Sequence, residues 1–267
     1  MFNKNIIFAL VVIAISVCYT SAAKAQRIVS DELIAFWTLD SSDIEGETAK
    51  DVLGDSDGTI LGVPRVVNGK IEEALEFDGV SNYIDLGNAR DLDLPIVTAE
   101  CWFKTSSGSE MRLFAPGSAF ANKWFLILNE GGNIVVSRTT GENQNQQTTN
   151  SFNDDQWHHV VGISAARASD IRIYVDGELE PSDPVAEGWS LNGDCKIGAK
   201  GDAQYMFSGI IDEFRIYNRA LTEDEVKQNY RATSQFIAVE PASKLVITWG
   251  KMKKLASILA CEKYSQD

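Results

Sequence analysis

Residues 209–221 read Gly-Ile-Ile-Asp-Glu-Phe-Arg-Ile-Tyr-Asn-Arg-Ala-Leu. This stretch decides the fold. Side chains of a strand alternate between faces. Ile210, Asp212, Phe214 and Ile216 therefore share one face, and Ile211, Glu213, Arg215 and Tyr217 share the other. Both faces are partly apolar, so periodicity alone does not say which is inner. A short helix is expected next, over Thr222–Ala232. Thr222 is its N-cap, and Glu225, three residues on, completes a capping box. Val226 and Tyr230 fall on one side of that helix at i, i+4 spacing.

Upstream, short alternating segments are punctuated by turn residues. They are Leu33–Leu39, Gly58–Val63, Ala74–Asp78, Tyr83–Leu86, Val97–Thr105, Trp124–Leu128, Ile134–Arg138, Trp157–Ser164 and Ile171–Asp176. Asp176-Gly177 supplies a hairpin turn, since Gly accepts positive φ. Amphipathic segments of helical length are nearly absent, which excludes alternating βαβ architectures. The polar run 141–151 reads as a loop or a solvated edge strand, or as an amide-rich surface for sugars. The pattern is all-β, and spacing of this kind suggests a sandwich or a jelly roll with one short C-terminal helix.

The chain has 267 residues, 24 Lys+Arg, 38 Asp+Glu and a net charge of −14. Such acidity argues against binding nucleic acid, which needs cations to displace counterions. It disfavours anionic membranes for the same reason. Twenty-five aromatics (Phe 12, Tyr 7, Trp 6) exclude wholesale disorder.

Residues 1–25 read as an export signal. Lys4 is the positive start, Ile6–Val17 the apolar stretch, and Ala23-Lys24-Ala25 the cleavage motif. The apolar stretch is too short to span a bilayer, so no integral membrane segment is expected in the mature chain. Cys18 invites lipidation, but the branched Val17 before it argues against that. Cleavage removes Lys4, Lys24 and no acid, which takes the charge to −16. It leaves Cys101, Cys195 and Cys261. If a disulfide forms outside the cytoplasm, Cys101–Cys195 is the favoured pair; the alternative is two unpaired buried thiols. The domain then spans 31–232. Residues 233–267 form a C-terminal tail with room for one extra strand.

Five segments in order resemble the laminin G-like jellyroll domain of the concanavalin A-like lectin/glucanase superfamily. They are Ile34–Asp40; Ala74–Gly79 with Asn82-Tyr83-Ile84; Trp157-His158-His159-Val160; Ile173–Gly177; and Gly209–Leu221. The resemblance covers about 200 residues, nearly all the mature chain except the tail. It implies a jellyroll of two antiparallel sheets of roughly six or seven strands each. It also implies binding of carbohydrate or another extracellular partner, without fixing the ligand.

Asp212 is the most informative single residue. A buried carboxylate is costly unless paired or metal-bound. Modules that resemble this one often hold a structural Ca²⁺ where first and last strands meet, so Asp40 and Asp51 are candidate co-ligands of Asp212; the alternative is an Asp that accepts backbone N–H bonds. His158 and His159 are adjacent and face apart, so they cannot easily share an ion. With no third His and no Gly-x-Ser-x-Gly elbow, they read as framework. The resembling glucanases carry Glu-x-Asp-x-(x)-Glu on one strand. Here Glu76-Phe77-Asp78 lacks the second Glu, so two-carboxylate glycoside chemistry has no evident site. Trp37, Trp102 and Trp157 read as core. Trp124 and Trp189 lie nearer loops and are the weak candidates for stacking on sugar; a core or hairpin-packing role is the favoured reading even for them. The resulting expectation is an exported, non-catalytic module for a glycan or an extracellular protein, secreted or periplasmic. A structural or adhesion domain making protein contacts is the alternative, and a glycan-cleaving enzyme a further one.

Overall fold

The computed structural model describes residues 27–232 except 119, 121–122, 141, 165–169 and 186–192. The export signal, the tail, Trp189 and Cys261 lie outside the described residues. The first strands are β1 (Leu33–Trp37), β2 (Ile44–Glu45), β3 (Thr48–Ala49), β4 (Gly58–Leu61), β5 (Arg65–Asn68) and β6 (Glu73–Asp78). Next come β7 (Tyr83–Gly87), β8 (Val97–Lys104), β9 (Met111–Ala115), β10 (Lys123–Leu128), β11 (Asn133–Thr140) and β12 (Glu142–Ser151). The last are β13 (His158–Ser164), β14 (Arg172–Val175), β15 (Glu178–Leu179), β16 (Ser182–Pro184), β17 (Cys195–Ile197), β18 (Ser208–Tyr217) and the helix α1 (Glu223–Tyr230).

These strands build two antiparallel sheets, an all-β jellyroll sandwich. One has eight strands in the order β15-β14-β13-β8-β18-β6-β5, with β1 also paired to β18. The other has ten, in the order β16-β12-β11-β10-β9-β17-β7-β4-β3-β2. Alternation explains the core between them. On β8, Val97, Ala99, Cys101 and Phe103 point inward; on β10, Trp124, Leu126 and Leu128 answer them. Fully burying one such side chain contributes about 1.5–3 kcal/mol.

The closing strand departs from simple alternation. Asp212 pairs with Trp102, whereas Arg215 pairs with Glu100, so three steps on β18 oppose two on β8. The extra residue is a bulge, and Glu213 carries it at φ +57°. Ile211, Phe214 and Ile216 consequently all reach the core, while Asp212 lies opposite Trp102 on the outer face. The expected Ile-Asp-Phe-Ile face does not exist as one face. Gly209, just before, sits at φ +144°, where a Cβ would lie 2.3 Å from the Lys104 carbonyl oxygen.

The polar run 142–151 is neither loop nor edge. β12 pairs with β11 on one side and with β16 on the other. Its amides are used within the sheet: Ser137 donates to Asn145 at 2.6 Å, and Asn129 donates to Gln147 at 2.9 Å.

Helix α1 has the capping box read from the sequence, with Thr222 accepting from the Glu225 backbone N–H. It docks on the outer face of the eight-stranded sheet. Val226 joins Val29, Val161, Ile163, Tyr174, Tyr217 and Leu221 there. Beneath it lies a buried polar network centred on Glu100. That carboxylate accepts from Arg215 at 2.8 Å and from Asn229 at 2.9 and 3.0 Å, and His159 Nε2 lies 3.5 Å away. Arg215 also pairs with Glu213 and lies over the Phe36 ring at 4.6 Å. Asn229 accepts the Val29 N–H at 2.7 Å, which ties the N-terminal segment to the helix. Ile28, Phe36 and Ala232 pack together close by.

Candidate functional site

One concavity lies at one end of the sandwich. It encloses about 340 Å³, within the range of small-ligand sites. Leu92 is buried at its floor, and Ile34, Leu94 and Ser56 form half-buried walls. Asp55, Asp91 and Asn218 stand exposed at its mouth. Three buried residues frame it. Asp51 accepts N–H bonds from Phe36 (2.9 Å) and Leu53 (3.0 Å) on one oxygen, and from Asp55 (3.4 Å) and Ser56 (3.1 Å) on the other. Burial pushes its carboxyl up, and those four bonds pull it down. The Trp37 indole donates to the Ser56 carbonyl at 3.0 Å, and the Trp124 indole to the Leu92 carbonyl at 3.4 Å.

A second concavity of about 360 Å³, as open as the first, runs past Glu76, Asp78, Lys104, Asp155 and Ser208. Its acids are largely committed elsewhere. Glu76 pairs with Arg65, and Asp155 lies 3.8 Å from Lys104. Asp78 accepts from the backbone N–H groups of Val80, Ser81 and Asn82 and from the Ser81 hydroxyl. Against some burial, those bonds hold its carboxyl at about 2. Glu76 and Asp78 are thus a paired residue and a turn residue.

The three acids named for calcium do not converge. Asp51 is consumed by the backbone as described. Asp212 and Asp40 do come together around the loop 69–73. Asp212 Oδ2 accepts from Lys70 (2.8 Å) and Ile71 (3.0 Å), and Asp40 Oδ1 accepts from Glu73 (2.8 Å). Asp212 Oδ1 is buried without a hydrogen bond. Burial, with the Asp40 charge adding to it, raises the Asp212 carboxyl to about 7. Among the described residues no three His, Cys, Asp or Glu side chains gather as a metal cluster. A cation here would meet two carboxylates and use the orphaned Asp212 Oδ1, since Asp212 Oδ2 and Asp40 Oδ1 already face backbone N–H groups.

The histidines face apart as read. His158 bridges Asp176 (2.9 Å) and Asp154 (3.0 Å), and its hydrogen bond to Asp176 raises its pKa most, against burial. His159 is buried against Trp102, ring centroids 5.0 Å apart. Trp37 and Trp102 are buried, the latter stacked on Tyr230. Trp157 is half-buried and precedes β13 rather than lying in it. Trp124 takes the core role and its candidacy for sugar stacking is corrected: it is 2% exposed and stacked on Phe114 at 4.2 Å, so no sugar reaches its face. The proposed disulfide also requires correction. Cys101 and Cys195 are both free and buried. They lie on β8 and β17, in opposite sheets. Burial pushes both thiols up.

Sequence reasoning missed the mouth and walls of the end cavity: Asp55, Asp91, Leu92, Leu94 and Asn218. They lie between strands, where no periodicity exists. The one available signal was the acidic, turn-rich stretch Asp51–Asp57.

Comparison with known proteins places this geometry. A family model described as "Concanavalin A-like lectin/glucanases superfamily" matches residues 78–227. The non-toxic nonhemagglutinin of Paraclostridium bifermentans is 26% identical over 175 residues, 62% of this chain and 14% of that protein. The chain therefore spans about a seventh of that relative. Domain 4 of an extracellular arabinanase from Geobacillus stearothermophilus, solved with arabinotriose, superposes with TM-score 0.58 at 21% identity. That match covers 74% of this chain and 98% of the domain. Trypanosoma rangeli sialidase superposes with TM-score 0.53 at 19% identity, over 78% of this chain but 34% of the enzyme.

Proposed function

Because the chain belongs to the concanavalin A-like lectin/glucanases superfamily, we propose that it is an exported, non-catalytic module that binds carbohydrate. The observation that carries this reading is the end cavity, with apolar walls below and hydrogen-bonding groups at the mouth. That combination suits a sugar, which offers C–H patches and hydroxyls together. The arabinanase domain of the same fold, solved with arabinotriose, supports it. Binding rather than cleavage is favoured because Glu76 and Asp78 are engaged by Arg65 and by a turn. Two-carboxylate hydrolysis needs an acid and a free nucleophile or base flanking one bond.

An array of oligosaccharides probed with the purified protein tests the reading. Retention of any glycan class supports it, and silence across the array overturns it. Turnover of a polysaccharide would overturn the non-catalytic part. A protein-contact role is the second reading, favoured by the exposed Val63, Val66 and Val80 around the edge strand β5. Structural calcium at Asp212 and Asp40 belongs to the same proposal. Titration of the chelated protein should show one Ca²⁺ bound; no heat at millimolar metal would remove it. Export predicts a mature protein beginning at Gln26, read by N-terminal sequencing.

A further inference from the structure

We infer that the end cavity takes uncharged sugars and rejects acidic ones, an inference that rests on the glycan-binding reading. The cavity is lined on its apolar side by Ile34, Leu92 and Leu94. The only ionisable side chains among its described lining residues are Asp55 and Asp91, and both are exposed at the mouth. The other polar groups there, Ser56 and Asn218, carry no charge. No cation of the described lining stands ready to meet a carboxylate or sulfate.

The placement of the two acids is built in. The Asp55 and Ser56 backbones are held by Asp51, and the Ser56 carbonyl by the Trp37 indole. Asp91 lies in the short helical turn Arg90–Leu92, whose Leu92 carbonyl is held by the Trp124 indole. Both carboxylates thus belong to walls anchored in the core. An ionised carboxylate accepts hydrogen bonds only. Sugar hydroxyls can donate to it, whereas an acidic sugar brings a like charge to the same place. The whole-chain charge of −14 adds to that repulsion at a distance. An ammonium on an amino sugar meets attraction instead.

The test pairs neutral oligosaccharides with the uronate of the same sugar, glucose with glucuronate and galactose with galacturonate. Glucosamine oligomers are the third arm. Dissociation constants are measured by calorimetry on the full protein. The acidic member of each pair should bind at least about tenfold more weakly at low salt, with the gap narrowing near roughly 0.5 M NaCl. The Asp55→Asn/Asp91→Asn double variant should close the gap, because both side chains are exposed and the substitution keeps their shape. Asn218→Trp, filling the mouth from an exposed position, should remove neutral-sugar binding. Uronates binding as tightly as their neutral partners would overturn the inference while leaving the glycan-binding reading intact. A gap that persists in the double variant, or Asn218→Trp without effect, would place binding elsewhere. Failure of all three arms would overturn the glycan-binding reading itself.

Discussion

Replacing Glu100 with Ala should destabilise the protein by about 3 kcal/mol. Truncating one partner of a buried ion pair costs about 3–5 kcal/mol, because the charge left behind is uncompensated. Glu100 accepts from Arg215 and twice from Asn229, and the Tyr217 hydroxyl lies 3.3 Å from it. All of these side chains are buried. Arg215 keeps Glu213 as a partner, which argues for the lower end of the range. Urea unfolding followed by circular dichroism is the assay. With a slope of about 3 kcal/mol per molar, the midpoint should fall by about 1 M. Glu100→Gln, which keeps the shape and one acceptor oxygen, should cost less. The acid limb adds an independent check. Burial works against the Glu100 charge, but His159 and Arg215 outweigh it and hold the carboxyl at about 2. A lowered folded-state pKa means the stabilisation is complete above the ordinary glutamate range and fades as pH falls toward 2. Glu100→Ala should therefore flatten stability between about pH 5 and pH 2. A loss below about 1 kcal/mol would refute the assignment of Glu100 as the keystone acceptor.

Other perturbations separate neighbouring claims. Thr222→Ala removes the helix cap and should cost about 1 kcal/mol in the same assay, with the fold retained. For His158 the sign is opposite to that of Glu100. Asp176 first and Asp154 next raise its pKa, so its contribution is complete below the ordinary histidine value and is lost as pH rises through the raised one. His158→Ala should thus lower the melting temperature more at pH 5.5 than at pH 9, and equal losses would contradict the bridge. Trp124→Ala should cost about 3–5 kcal/mol, a general loss of stability rather than a selective loss of sugar binding. Thiol reagents should leave Cys101 and Cys195 untouched in the native protein and label both in urea; rapid native labelling would contradict their burial.

The sandwich was legible because its strands obey a period of two and its helix carries a complete capping box. Five features escaped for physical reasons. The bulge at Glu213 adds one residue to β18, and no alternation pattern announces an insertion. The strand β12 is polar because its amides bond across the sheet, so it resembled a loop. Asp51 looked like a metal ligand because its type suits one; four backbone N–H groups, distant or local, decided otherwise. Trp124 lies close to a loop in sequence, yet β10 points it inward, and adjacency to a loop does not reveal direction. The end cavity is assembled from four separated stretches, which only the folded chain brings together.

One detail of the outer face bears on how such a unit is used. Ile28 and Ala232, near the two ends of the described chain, share a single small apolar cluster with Phe36. Entry and exit are therefore side by side. A polypeptide can run into this sandwich and out again at nearly one point, so the unit can be plugged into a longer chain without parting its neighbours. The same closeness makes a circularly permuted version feasible: a short bridge between those ends, with new termini opened at the exposed Val80 turn, should preserve the fold.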